Sequence, residues 1–298
     1  MLYFFQQMLN GVHAGALYAL LAFGYALTHG VLRRTNLAFG ALFASAGQVM
    51  ILASVWGWGA LWLEWRAAVP VGALVALTYA ALVSHGLARF VFAPLATRAP
   101  NAVVVATLGV AMALMETVRI AADTRDVWLP PLLAVPMVFA EADGFRVTLT
   151  WAQLLNCAVA GSALLLLSLF LARSAFGRNW QAVSDDTFAA SLCGIDTSRL
   201  FRRTFVLGGM VAALAGIQAG FYYGNIAFGS GLFFGLKILF LTAAGGYERP
   251  WRAASGAGAF GIVEALWTGY FPLEWREAWI FGGLALWLIL VRAGRDEI

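Results

Sequence analysis

Stretches of about 20 mostly apolar residues, the length an α-helix needs to cross a bilayer, recur along the whole chain. Candidate spans fall at 9–29, 37–56, 67–91, 102–121, 151–172, 204–223, 232–244, 254–271 and 279–291. The 232–244 stretch is short and reads as a half-helix or a re-entrant piece, tolerated only where protein or a water-filled cavity surrounds it. Charged residues make up 11% of the chain and hydrophobic ones 62%, against about 25% and about 45–50% in soluble domains. So few charges cannot cover a water-exposed surface without large apolar patches, and the surplus is expected to face lipid. The expected fold class is an all-α polytopic membrane protein with about eight to nine transmembrane helices, in a single domain covering 1–298.

The charges that remain sit between the spans. With the first span running from outside to inside, thirteen arginines, from Arg33 and Arg34 to Arg292 and Arg295, fall on the cytoplasmic side. Five (Arg66, Arg119, Arg125, Arg146 and Arg276) fall on the other, and Lys237 lies within a span. This positive-inside bias places the N-terminus outside and the C-terminus in the cytoplasm. Tryptophans at 56, 58, 62 and 65 and at 128, 151, 275 and 279 mark headgroup boundaries. The net charge of +4 carries no nucleic-acid implication, because the arginines form no stripe on a soluble domain. No positively charged region precedes the first apolar run, so no cleaved signal peptide is expected. Cys157 and Cys193 belong to no CxxC pair and read as packing residues.

Two loops stand apart. The external segment 123–150 contains Pro130, Pro131 and Pro136, then Asp143-Gly144 followed by alternating residues, the pattern of a small hairpin. It fits an external docking surface or a plain connection equally well. The cytoplasmic loop 173–203 holds a short amphipathic helix over 185–193. Ser184 is its expected N-cap, Asp185 and Asp186 suit its positive end, and Gly194 is its stop. Asp196 or Thr197 caps the helix that returns to the membrane. Phe188 and Leu192 share one face. On physical grounds alone, a helix resting on the headgroups is favoured.

At this loop the sequence resembles a known pattern. The run from Asp186 through Ala189, Leu192 and Gly194 to Arg199 is similar to the coupling-helix segment of the branched-chain amino acid ABC permease family. The likeness extends over nearly the whole chain. It takes in Asn10–Tyr25, Thr35-Asn-Leu-Ala-Phe-Gly40, Phe205–Gly209, Gly216, Tyr223-Gly224, Gly235-Leu-Lys237 and Gly261–Glu264-Ala. Where the family usually has a histidine this chain has Phe39. The turn Gly245-Gly-Tyr-Glu-Arg-Pro-Trp251 is bulkier and more charged than the family's glycine-serine turn. The resemblance implies the permease subunit of an importer in the bacterial inner membrane, carrying branched-chain amino acids or a related small polar solute. It implies as partners cytoplasmic ABC ATPase subunits, a second and non-identical permease, and an external solute-binding protein. The Ser184–Gly194 segment is then the mechanical joint to the ATPase, and Asn36 lies near the central pathway.

Within the spans, Gly11/Gly15 and Gly216/Gly220 have the four-residue spacing that lets helix backbones approach closely. Glu116, Lys237 and Glu264 are ionisable residues that must be paired or face water. Lys237 and Glu264 lie on neighbouring spans and are expected to pair, structurally in preference to touching substrate. Asn36 is expected to cap the second span. His13, His29 and His85 make no ligand pattern, so no metal site is expected. No Walker lysine loop, nucleophile elbow or HExxH motif occurs, so neither an enzyme nor a cofactor is expected, and ATP hydrolysis belongs on other chains. A gradient-driven secondary transporter is the alternative, but it calls for charged groups repeated in both halves.

Overall fold

A backbone in hydrocarbon must satisfy its own polar groups, which helices do within one segment. The structure, a computed structural model, describes residues 1–98, 101–142 and 144–293. Helix α1 (Leu2–Leu32) is followed by α2 (Ala38–Leu61) and α3 (Trp65–Gly86), which continues through a π turn at Leu87–Phe92 into α4 (Ala93–Arg98). Helix α5 (Ala102–Ala121) leads to strands β1 (Pro136–Ala142) and β2 (Phe145–Thr150), then α6 (Trp151–Arg173). Two short helices, α7 (Ala175–Asp185) and α8 (Thr187–Leu192), precede α9 (Thr197–Tyr223). Helices α10 (Ser230–Gly245) and α11 (Pro250–Tyr270), a 3-10 turn at Leu273–Trp275 and α12 (Arg276–Ala293) complete the chain.

Six of these helical stretches are long and apolar enough to cross a membrane among the described residues, and the α10–α11 pair adds a seventh if counted as one broken span. That is fewer than the eight to nine expected. The shortfall lies at the C-terminal end. Helix α10 has 16 residues, about 24 Å of rise against a hydrocarbon core of about 30 Å, and the pair bends by 113°. Helix α12 is shortened as a span by Arg276 and Glu277 in its first turn and Arg292 near its end. Arg295, counted on the cytoplasmic side, lies outside the described residues.

Helices α1, α2 and α9 form the interior. Within its apolar span 83% of α1 is buried, against 11% of α6. Helix α6 therefore presents residues such as Leu165 and Leu166 outward, as a lipid-facing wall does. Interior contact depends on glycine. Gly11 and Gly15 of α1 meet Ile262 and Gly258 of antiparallel α11, and a Cβ on Gly11 would stand 2.7 Å from the Ile262 Cα. Gly216 meets Phe43 and Gly47 of α2 in the same way, so the four-residue spacing marks true seams.

After α9 the chain turns back into the bundle. Gly224 ends the helix in the left-handed region (φ +75°), and residues 225–229 descend without helix. The Gln48 side chain, midway along α2, donates to the Ile226 carbonyl at 2.8 Å, replacing the partner that hydrocarbon cannot supply. Helix α10 then starts against the first two turns of α2, with Gly231 on Gly40, Ala41 and Ala44. The short 232–244 segment thus begins inside the protein. Strands β1 and β2 pair antiparallel with an irregularity between Val138 and Ala140. They form the expected hairpin, although Asp143 of its turn lies outside the described residues.

Candidate functional site

The descent at 225–229 leaves a cavity of about 460 Å³ between α1, α2, α9, α10 and α11. Its apolar wall includes Leu17, Leu21, Phe43, Phe233 and Phe234, and its mouth includes Trp128 of the 123–150 loop and Tyr223 at the end of α9. Lys237, Glu264 and Arg276 also line it. The Lys237 Nζ donates to Glu264 Oε1 at 2.6 Å and to the Tyr18 hydroxyl at 2.8 Å. The bend between α10 and α11 places the two charges together, so the expected pair is present. Both are buried, Lys237 at 2% and Glu264 at 7% exposure, where a lone charge is costly. Arg276 Nε stands 3.9 Å from the same Glu264 oxygen and donates to Glu277 at 2.9 Å.

Further along α1, beyond the cavity lining, aromatic residues pack together. The Tyr25 ring packs edge-on against Phe39 at 5.5 Å, and Tyr247 stacks on His29 at 3.9 Å. Asn36 is buried here, and its backbone N–H donates to the Tyr25 hydroxyl at 3.2 Å. It does not cap α2 as expected: the N-cap position is Leu37, with no side-chain bond. The Tyr25 phenol draws Asn36 inward, and its Oδ1 has no hydrogen-bond partner among the described residues.

The helix expected in the 173–203 loop begins two residues later than expected. Ser184 and Asp185 belong to the last turn of α7, and Asp186 is the cap. Its extended backbone (φ −149°) ends α7, and its Oδ1 accepts from Phe188 N at 2.8 Å and Ala189 N at 3.0 Å. A carboxylate with two amide donors makes a stronger cap than one hydroxyl. Gly194 stops the element at φ +82°, as expected, and Asp196 caps α9 through Arg199 N at 2.8 Å. Ala190 faces inward while Phe188 (73%) and Leu192 (74%) are exposed. Two anchors tie this loop to α1. Arg33 Nη2 donates to the carbonyls of Ser184 (2.7 Å) and Asp185 (2.6 Å), and Trp180 Nε1 donates to Leu27 O at 3.1 Å.

Some expected residues stay apart from both places. Glu116 is exposed on α5 and paired with Arg119 one turn on, which neutralises it locally instead of facing a pathway. Cys193 is exposed, not packed, because α8 covers little with its C-terminal turn. His13 lies 3.3 Å from Asn156, whose side chain and that of Gln218 exchange bonds with each other's backbone. No group of three metal-ligating side chains occurs among the described residues. Tyr18, Arg33, Trp180 and Arg276 were not legible as site residues. The nearest signals are the polar atom of Tyr18 within an apolar run and the closeness of Arg276 to a span.

Six membrane-length helices, a broken helix pair carrying a buried ion pair and a cavity among the helices define the class: a polytopic membrane permease. The chain belongs to the family described as branched-chain amino acid transport system / permease component, which matches residues 7–291. It is 32% identical over 297 residues to the high-affinity branched-chain amino acid transport system permease protein LivH of Escherichia coli (strain K12), covering 98% of this chain and 95% of that one. It is 28% identical over 298 residues to the corresponding protein BraD of Pseudomonas aeruginosa, with the same coverage. A shorter likeness, 31% over 132 residues, covers 42% of this chain and 38% of the autoinducer 2 import system permease protein LsrC of Klebsiella pneumoniae. No solved structure matches the chain.

Proposed function

We propose that this permease carries branched-chain amino acids or a related small polar solute inward across the bacterial inner membrane, driven by cytoplasmic ABC ATPase subunits that engage α8. The observation that carries this reading is the exposed pair Phe188 and Leu192 on a helix held from behind. A helix made to lie on headgroups carries Lys or Arg on its polar face. Helix α8 has neither and is capped by Asp186, which anionic headgroups repel. Its apolar ridge instead suits a cleft in another protein.

In this reading the chain is one permease domain with the 173–203 loop in the cytoplasm, and the N-terminus and the 123–150 loop outside. An external solute-binding protein delivers the solute to the cavity mouth near Trp128 and Tyr223. A second, non-identical permease completes the pathway. Movement of α8 passes to α1 through Arg33 and Trp180. Helix α1 carries Tyr18 at the Lys237–Glu264 pair and Tyr25 beside Asn36 and Phe39, so one rigid displacement acts on the cavity and on the aromatic cluster beyond it together.

The test is co-purification of the tagged chain from its native membrane, comparing the unmodified protein with a Phe188→Asp, Leu192→Asp variant. An ATPase that accompanies the former and is lost from a variant of unchanged melting temperature supports the coupling role. An ATPase absent from both, or retained by both, overturns it, and the first result would favour gradient-driven transport.

A further inference from the structure

A second cavity, of about 530 Å³, lies on the flank of the bundle where α9 begins, bordered by the ends of α3 and α6 and the start of α7. Arg199, Arg202, Arg203, Val206, Leu207 and Met210 of α9 line it. Their spacing of three and four residues puts all six on one face of the helix. That face is cationic over its first turns and apolar beyond them, where Phe170 of α6 also lines the groove. From Arg202 to Met210 the stripe runs about 12 Å along the helix. Phe170 and Met210 are exposed, so the apolar half lies open. The cationic half is unbalanced. Arg199 has Asp196 at 3.3 Å, an exposed contact of a kind that holds little energy. Arg202 and Arg203 make no ion pair or side-chain hydrogen bond among the described residues. No carboxylate lines the groove, and His85 is its remaining polar residue. These arginines also sit at the positive end of the α9 dipole, with no acidic residue in the first turn, where cations are unfavourable and an anion is favoured.

We infer that this groove binds an anionic phospholipid, with its phosphate among Arg199, Arg202 and Arg203 and an acyl chain along Val206, Leu207 and Met210 against Phe170. A free phosphate uses the arginines and leaves the apolar half uncovered. A zwitterionic lipid covers the apolar half and brings no net charge to the arginines. An anionic lipid answers both, and its headgroup and chain follow each other in the order in which the stripe changes character. Basic pockets between membrane helices on the cytoplasmic side suit such headgroups, and the arginine excess predicts that side here. The contrast with α8 is local: the lipid-repelling Asp186 and the lipid-attracting arginines stand at opposite ends of one short segment. The inference does not depend on the coupling role of α8.

The test uses the full chain, purified in a non-ionic detergent and titrated with dioleoylphosphatidylglycerol or dioleoylphosphatidylcholine, with bound lipid counted by native mass spectrometry. Phosphatidylglycerol is expected to bind at least about tenfold more tightly than phosphatidylcholine, each arginine near a headgroup being worth roughly fivefold. The triple variant Arg199→Gln, Arg202→Gln, Arg203→Gln should abolish that preference. A second triple variant, Arg34→Gln, Arg249→Gln, Arg252→Gln, removes the same charge elsewhere on the side predicted to be cytoplasmic and should keep it. Met210→Asp, in the apolar half, should weaken phosphatidylglycerol without lowering the melting temperature in detergent. A hundredfold excess of glycerol 3-phosphate should not displace the lipid. Equal binding of the two lipids, or equal losses in the two triple variants, overturns the inference. Displacement by glycerol 3-phosphate overturns it in favour of a free-phosphate site. A preference untouched by the first triple variant, with a co-purifying ATPase lost from it, overturns it in favour of a protein partner at these arginines. If that variant fails to fold, Met210→Asp decides, and unchanged phosphatidylglycerol binding there overturns the inference.

Discussion

Lys237 and Glu264 are held at 2.6 Å and are both buried, so neither tolerates the loss of the other. Removing one partner of a buried pair costs about 3–5 kcal/mol, whereas replacing both is often near neutral. Lys237→Met should therefore lower the melting temperature of the purified protein strongly, and Lys237→Met with Glu264→Gln should recover most of the loss. A double variant no more stable than the single one would show that Lys237 serves something other than the pair. This contact was legible in the sequence because two isolated charges on neighbouring apolar runs have few ways to be satisfied. Arg276 was not legible, because the sequence places it beside a span, while its approach to Glu264 depends on how α12 enters the bundle. Asn36 illustrates the opposite failure. Its cap-like position before α2 was plain, but a phenol eleven residues earlier on α1 takes its N–H, and no local pattern records that.

Helix contacts turn on where a side chain is missing. A Cβ at Gly15 would press on the Gly258 backbone, whereas Gly109 on α5 has nothing within 4 Å. Gly15→Leu should thus cost at least about 1–3 kcal/mol by overpacking and lower the yield of monodisperse protein, while Gly109→Leu leaves both melting temperature and yield unchanged. Equal effects would mean that the α1–α11 seam is looser than described. The α8 cap gives a second comparison. Asp186→Ala removes two hydrogen bonds from the first turn of α8 and should cost about 1 kcal/mol of local helix stability, seen as faster amide exchange at 187–192. Ser184→Ala should leave that exchange unaltered. The existence of a short capped helix before Gly194 was readable from residue types. Its start was not, since Ser184, Asp185 and Asp186 are all competent caps and only the extended backbone at Asp186 selects among them. The span count is matched only roughly for a related reason: apolar length is local, but the 113° bend that joins α10 to α11 goes with packing of these helices on α2 and α1.

Orientation belongs to the whole molecule, because the cavity mouth and α8 lie toward opposite ends of the bundle. Trp128 and Tyr223 stand at the mouth, and the 123–150 loop is tied to that side through Leu129, whose N–H donates to Gly224 O at 2.8 Å. Arg33, Ser184 and Cys193 mark the other end, where the excess of arginine predicts cytoplasm. Both of the functions argued above require this polarity: a mouth open to an external delivery protein, and an apolar ridge within reach of an ATPase. The chain carries its own reporter, since Cys193 is exposed on the α8 side while Cys157 is half-buried within α6. In spheroplasts, a membrane-impermeant maleimide should leave Cys193 unmodified until the membrane is permeabilised. Glu141→Cys, on the exposed hairpin strand β1, should react at once from outside. The reverse pattern would open the cavity to the cytoplasm and put Phe188 and Leu192 where no ATPase can reach them, removing the coupling role.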